Sequence, residues 1–316
     1  MTKKRIGIDV GGTNVKIALV SDAGQIIYSN SVPTRAEMGY EYTVNNIKQA
    51  IYDLMKETNT TTKDIEGIGF GFPGQVDYKT GVVKLAPNIP GWVNVPIAKM
   101  IEDEFHIPTK IDNDVRCAAL GELNYGAGKG CENLICITVG TGVGSGLIVN
   151  GKLVRGASNA AGELGHIKLQ MHGGPICGCG DTGCLEAFAS APAIVAMAED
   201  YIKGGKSTKY RELANPEISA YIVAEAAKAG DKVAQRIFTV MGEYLGIGLA
   251  SVVNLLNPEK IIIGGGVADA DDLLLAPLKK TLKERAMEIS GSAVDVVKAQ
   301  LGNTAGVIGA SLLVEN

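Results

Sequence analysis

A two-lobed α/β architecture follows from the chain length, from an internal echo and from where the glycines fall. The chain has 316 residues, about twice a common single-domain size, so two cores are expected. The echo is a pair of strand–turn–strand units. Arg5–Val10 is a short apolar run ending in Gly11-Gly12-Thr13, followed by Val15–Val20, a turn at Ser21–Gly24 and a third run, Gln25–Ser29. Leu134–Val139 likewise ends in Gly140-Thr141-Gly142-Val143-Gly144, followed by Gly146–Val149, a turn at Asn150-Gly151, and Lys152–Arg155. Setting Gly11 over Gly140 brings the elements into register, which predicts two similar sheets, each carrying a glycine loop. The 41 glycines gather at the ends of apolar runs, where tight turns and close backbone approach to a ligand need them.

Between the two units the pattern gives a helix over Val44–Lys56 and a buried strand over Ile65–Phe70. A turn at Phe72-Pro73-Gly74, a hairpin around Lys79-Thr80-Gly81 and a helix start near Pro96 follow. After the second unit come a Gly/Cys-rich loop, Gly173–Gly183, and several helices. One of these, Met241–Leu256, precedes a strand, Lys260–Ile263, and a run of Gly264-Gly265-Gly266. Gly302–Val314 reads as a glycine-opened helix of small and apolar residues that crosses back to the first lobe. The expected division is a small N-terminal lobe, 1–118 with 302–316, and a large C-terminal lobe, 119–301, that carries the cysteine loop.

Composition narrows the function classes. Hydrophobic residues are 46% and charged residues 20% of the chain, as in a soluble globular enzyme. The net charge of −4 argues against nucleic acid or an anionic membrane as the main partner. No secretory leader is read at the N-terminus, and the most apolar helical stretch, near Ile247–Leu256, is too short to span a bilayer. Six cysteines, three of them crowded between 177 and 184, suit metal binding in a reducing compartment better than a disulfide framework. A cytoplasmic location is expected.

Successive backbone N–H groups in a glycine turn form a cradle for anions. Gly11-Gly12-Thr13 and Gly140–Gly144 both qualify, each with a threonine hydroxyl as a further donor, and either alone is also compatible with a plain hairpin turn. Asp9, at the strand end before the first loop, is placed to hold Mg²⁺ directly or through water. Two familiar motifs fail. Gly140-x-Gly142-x-Gly144 is followed by a strand, where a dinucleotide fingerprint requires a helix. Gly205-Lys206-Ser207 resembles a P-loop tail, but Asp200 occupies the upstream glycine position.

His166-x10-Cys177-x-Cys179-x4-Cys184 supplies one imidazole and three thiolates. Four such ligands fill the tetrahedral shell of zinc and leave no open position, so the site reads as structural. Buried inert cysteines are the plain alternative, and the glycines interleaved with these three speak against it. Cys117, Cys131 and Cys136 are isolated and carry no assigned role. At Ile111-Asp112-Asn113-Asp114 a strand ends in three polar residues. Asn113 there is able to bond sugar hydroxyls, and an ionised Asp114 to take a proton from an attacking hydroxyl. Glu163 and Glu186 flank the cysteine loop, although a lone carboxylate is most often a solvated charge.

Together these residues resemble the ROK (repressor, open reading frame, kinase) family, and within it the bacterial glucokinases. The resemblance runs through Asp9–Thr13, Gly71–Gly74, Asn88 with Gly91-Trp92, Asn113-Asp114, Gly140–Gly144, Glu163-x-Gly165-His166, the cysteine set and Gly264–Gly266. It implies an actin-like ATPase (ribonuclease H-like) fold with the active site in a cleft between two lobes. It implies that Asp114 is the catalytic base and that Gly74, Asn88, Asn113, Asp114, Glu163, His166 and Glu186 contact the sugar. His166 would hold zinc through one ring nitrogen and face the sugar with the other. Asp9, Gly11, Gly12, Thr13, Asn14, Lys16, Gly140, Thr141 and Gly142 would hold the ATP phosphates and Mg²⁺, with Gly264, Gly265 and Gly266 near the adenosine. Asp112 and Val115 stand where many relatives carry Glu and Ala, which touches only fine sugar preference.

The implied reaction is ATP-dependent phosphorylation of the glucose 6-hydroxyl. Other hexoses, namely N-acetylmannosamine, fructose, allose and mannose, are alternative acceptors. A homo-oligomer, dimer or tetramer, is the expected assembly. A sugar-responsive repressor is the rival from another class, but it would need a helix-turn-helix before the first glycine strand, and that strand begins at Arg5. A non-catalytic ATP-binding scaffold would leave the sugar-side residues and the cysteine loop unexplained.

Overall fold

The computed structural model describes residues 3–87, 89–206, 208–213 and 217–315. The first strands are β1 (Lys4–Val10), β2 (Asn14–Ser21) and β3 (Ile26–Pro33), then α1 (Tyr40–Glu57) and β4 (Ile65–Phe72). A small antiparallel sheet follows, built from β5 (Gln75–Asp77), β6 (Val82–Leu85) and β7 (Val93–Val95). Next come α2 (Ile97–Phe105), β8 (Thr109–Asn113) and α3 (Asp114–Tyr125). The second repeat is β9 (Leu134–Val139), β10 (Val143–Val149) and β11 (Lys152–Leu153). Helices α4 (Leu185–Phe188), α5 (Ala191–Lys203), α6 (Lys209–Leu213), α7 (Ala220–Lys228) and α8 (Lys232–Leu256) precede β12 (Lys260–Gly264). The chain ends in α9 (Asp272–Arg285), α10 (Glu288–Ala293), β13 (Asp295–Lys298) and α11 (Ala305–Ser311).

The internal echo is realised as two five-stranded sheets of matching order, β3-β2-β1-β4-β8 and β11-β10-β9-β12-β13. In the first, β1 pairs antiparallel with β2 and parallel with β4, which pairs parallel with β8. In the second, β12 lies parallel to both β9 and β13. Each glycine turn thus joins the first two strands of its own sheet. Val143 opens β10, three residues earlier than the glycine pattern suggests, because the turn is closed tightly by Gly140 N–H on the Gly142 carbonyl, 2.9 Å.

The chain divides into two compact units, Met1–Gly130 with Gly146–Ala161 and Gln300–Asn316, and Cys131–Ser145 with Gly162–Ala299. The expected boundary at 118/119 falls inside α3, which stays whole in the first unit. The return of the C-terminal segment is bought with glycines. A Cβ on Gly7 of β1 would lie 1.8 Å from the Val307 carbonyl oxygen, and one on Gly309 would lie 1.6 Å from that of Cys117. Only glycine lets α11 sit this close to the sheet and to α3. The expected single helix over Gly302–Val314 is in fact α11 flanked by two 3-10 turns, Gly302–Thr304 and Leu312–Glu315.

Helix α8 runs 25 residues, longer than the expected Met241–Leu256, and by length and composition it could cross a membrane. Its start is set by Asp231, whose Oδ1 accepts from Val233 N (2.8 Å) and Ala234 N (3.0 Å), an N-cap. Ile237, Phe238, Met241, Leu245, Leu249 and Val253 are buried at helical spacing, and Gly242 and Gly246 let α9 approach closely. It is the core helix of the second unit, which accounts for its apolarity.

Candidate active site

In the first unit the polar cluster is assembled at the ends of parallel strands. Asp9 lies near the end of β1, opposite Lys16 in the β1–β2 register. Lys16 Nζ donates to the Asn303 carbonyl at 3.1 Å. The start of α11 encloses Asp9, since a Cβ on Gly306 would lie 2.8 Å from its carboxyl carbon. Gly12, Thr13 and Asn14 are exposed at the turn. Thr34, unremarked in the sequence and buried, braces the turn by donating from Oγ1 to the Gly11 carbonyl (2.6 Å) and from N to the Thr13 carbonyl (2.9 Å).

Asn113 ends β8 and caps α3. Its Oδ1 accepts from Val115 N (3.0 Å) and Arg116 N (3.3 Å), and its Nδ2 donates to the Gly74 carbonyl at 3.4 Å. Its oxygen is therefore committed to the helix, and Nδ2 is the group able to meet a ligand. Asp114, half-buried at the first position of α3, accepts from Val115 N at 2.9 Å. Burial, and after it the neighbouring Asp9 charge, push the Asp114 carboxyl up to about 6. Enclosure also raises Asp9, against the pull of Lys16. Each carboxylate thus opposes the ionisation of the other. Asn88, expected on the sugar side, lies outside the described residues.

Asp112 has a different task from its neighbours. It is fully buried, with Oδ1 at 3.2 Å from Arg116 Nη1 and Oδ2 at 2.6 Å from Arg155 Nε. Arg116 Nη2 also donates to the carbonyls of Asn159 and Ala161, each at 2.8 Å, and Arg155 stacks on Tyr78 at 4.3 Å. Asp112 is thus the centre of an ion-pair hub beneath the site. Asp112 lies in β8 and Arg116 in the first turn of α3, so neither this pair nor Arg155, 43 residues on, carries a local sequence signal.

In the second unit His166, Cys177, Cys179 and Cys184 bring their ligand atoms within 4.8 Å of one another. Tetrahedral zinc, about 2.3 Å from sulfur and 2.0 Å from nitrogen, requires ligand–ligand edges of about 3.5–3.8 Å. Cys177 Sγ lies 3.6 Å from His166 Nδ1, and Cys179 Sγ lies 3.8 Å from Cys184 Sγ. The donor set fits the ion. His166 Nε2 points the other way, 3.9 Å from Glu163 Oε2. Lys168, not singled out in the sequence, donates to Asp181 Oδ2 (2.6 Å), the Thr182 carbonyl (3.0 Å) and Cys184 Sγ (3.1 Å). These contacts tie the loop across itself. Glu186 accepts from Val143 N at 2.9 Å with one oxygen, and its other oxygen lies 3.5 Å from Cys177 Sγ.

The same unit holds a cavity of about 390 Å³, walled by Ile194 of α5, Ala220, Tyr221, Ala224, Glu225 and Lys228 of α7, Phe238 of α8, and the turn Gly266–Ala270. Gly140 and Thr141 lie on its rim. The size and the mainly apolar wall with a few polar groups are those of a small-molecule pocket. Of the expected adenosine glycines, only Gly266 lines it. Gly264 ends β12, buried beside Ala299, and Gly265 is a structural turn: φ is +85°, and an added Cβ would fall 2.4 Å from the Val139 carbonyl oxygen. The cavity-lining residues of α5 and α7 have no motif that could have announced them.

The sequence model of the ROK family matches residues 5–316. This chain belongs to the ROK family. Among its relatives is a glucokinase of Halalkalibacterium halodurans, 40% identical over 98% of this chain and 94% of that protein. Another is a xylose repressor of Caldicellulosiruptor bescii, 33% identical over 98% of this chain and 77% of the repressor. The crystal structure of a ROK family glucokinase from Streptomyces griseus, in complex with glucose and AMPPNP, is 35% identical. It superposes with a TM-score of 0.84 over 98% of each chain. The actin-like ATPase fold expected of a ROK kinase is the fold found here.

Proposed function

We propose that this ROK protein is an ATP-dependent glucokinase that transfers the γ-phosphoryl group to the 6-hydroxyl of glucose. The observation that carries the reading is Asp114. It is a carboxylate held at the start of α3 with its pKa lifted to about 6, in a chain similar along nearly its whole length to glucokinases, one of them solved with glucose and AMPPNP. A base with that pKa is ionised at neutral pH yet close enough to it to accept a proton as the hydroxyl oxygen attacks phosphorus. Phosphoryl transfer depends chiefly on positioning and charge stabilisation. Backbone N–H groups of the Gly11–Thr13 and Gly140–Gly142 turns serve the phosphates, with Lys16 as a fixed cation. Asp9 beside Asp114 is the seat for Mg²⁺, which supplies charge neutralisation on the nucleotide. The 390 Å³ cavity takes the adenosine, and Asn113, Glu163, His166 and Glu186 take the sugar hydroxyls.

Polar groups placed for particular hydroxyls discriminate well, because a missing or inverted hydroxyl leaves one of them unpaired at about 1–3 kcal/mol each. At saturating ATP-Mg²⁺, kcat/KM for glucose should exceed that for mannose and N-acetylmannosamine by about tenfold or more. A panel in which N-acetylmannosamine or fructose leads would leave a kinase standing and remove glucose as its substrate.

We also assign a structural zinc to His166, Cys177, Cys179 and Cys184. His166 would bind through Nδ1, which fixes the ring so that Nε2 is presented away from the metal. Such a set requires thiolates kept reduced, which suits the cytoplasm. Protein purified without added metal should carry close to one zinc per chain by elemental analysis, and Cys179→Ser should lose most of it. A metal-free protein with unchanged melting temperature and activity would refute the assignment.

A further inference from the structure

We infer that Glu186 is a positioning residue for the nucleotide: its carboxylate is the strut that holds the Gly140–Gly144 turn in the shape that receives phosphate. The inference rests on the reading of that turn as a phosphate cradle and adds to it a support that the turn's own sequence does not contain. Oε2 accepts the Val143 N–H at 2.9 Å, where the turn becomes β10, and Val143 is buried. The fit admits no side chain beneath it, because a Cβ on Gly142 would stand 2.4 Å from that same oxygen. The glycine at 142 therefore serves the strut as well as the ligand.

The base of the strut is rigid. Glu186 lies in α4, directly after Cys184 and Leu185, both wholly buried, and Leu185 N donates to the Ile167 carbonyl at 2.9 Å. Five residues on, Ala191 N donates to the Gly140 carbonyl at 2.8 Å. One short segment thus grips the turn at both ends, through a side chain at Val143 and a backbone N–H at Gly140. Gly140, at one of those grips, and Thr141 beside it line the 390 Å³ cavity.

Two effects of the carboxylate oppose each other, and their signs differ. As a negative charge near phosphate it weakens nucleotide binding; as the partner of a buried N–H it keeps the cradle formed. Removing it leaves Val143 N–H without a partner, and the turn must move to find one. We hold that the second effect dominates.

The test is calorimetric titration of ADP-Mg²⁺ and AMPPNP-Mg²⁺ into the full chain with no sugar present, so that any contact of Glu186 with a hexose does not enter. Glu186→Ala should raise Kd by about tenfold. Glu186→Gln should hold Kd at or below the wild-type value, since the amide oxygen still accepts from Val143 N and the charge is gone. Gly142→Ala should raise Kd like Glu186→Ala, and the double variant should be no worse than the weaker single, because both break one contact. An unchanged or lower Kd in folded Glu186→Ala overturns the strut; should that variant fail to fold, an unchanged Kd in Gly142→Ala does so. A wild-type chain that binds neither nucleotide overturns the kinase reading itself, and the strut with it.

Discussion

Asp114→Asn should lower kcat by about 10²–10⁴-fold, the range for loss of a general base, with a far smaller change in the KM for sugar. Asparagine keeps the shape and a hydrogen bond to the hydroxyl but takes no proton. The wild-type pH profile should carry the same residue's signature. With its pKa near 6, Asp114 is ionised above that pH and protonated below it, so kcat/KM falls as pH drops through about 6. The limb in kcat should lie lower, because a cation bound beside Asp9 favours the ionised form. Asp114→Asn should lack the limb. The stability effect has the opposite sign to a salt-bridged carboxylate. A folded pKa raised above the unfolded one means the charge costs stability at neutral pH, a cost relieved as pH falls through about 6. The variant should therefore melt no lower than wild type at pH 8. Near-normal turnover would show that another group takes the proton.

Asp112→Ala should cost about 3–5 kcal/mol of folding stability, the usual result of removing one partner from a buried ion pair. Asp112 is fully buried between two guanidinium groups, and the Arg116 side chain is only 4% exposed. Truncation strands that charge beside the Asn159 and Ala161 carbonyls, and deprives Asn113 N of its acceptor at 2.8 Å. Arg155→Ala should cost less, since its side chain is 20% exposed and water partly replaces it. The midpoint of urea denaturation measures both. A loss below about 1 kcal/mol for Asp112→Ala would mean that the hub relaxes without it. Because Asn113 and Asp114 follow directly in the chain, some loss of kcat should accompany the loss of stability.

The two sheets were readable because each rests on short apolar runs and on the glycines between them, signals that act within a few residues. The clustering of His166, Cys177, Cys179 and Cys184 was readable for the same reason: all four lie within one loop. The start of α8 was not: Lys232–Val240, the part beyond the expected Met241–Leu256, is held by the Asp231 cap and by the burial of Ala234, Ile237 and Phe238, which tertiary packing supplies. Which of Gly264, Gly265 and Gly266 lines the cavity was not readable, because a Gly-Gly-Gly run marks a turn without saying which residue faces inward.

What the amino-acid order determined by itself is therefore local: the glycine turns, the His/Cys cluster, and the Asn113-Asp114 pair at a strand end. The tertiary structure decided which of these groups have partners. Arg155 reaches Asp112, and Glu186 reaches Val143, each across 43 residues, and the cavity draws its wall from α5, α7, α8 and the Gly266–Ala270 turn. A carboxylate has the same composition whether it is solvated, paired with arginine or supporting a turn. Burial and the groups that packing brings against it set its charge state and its task.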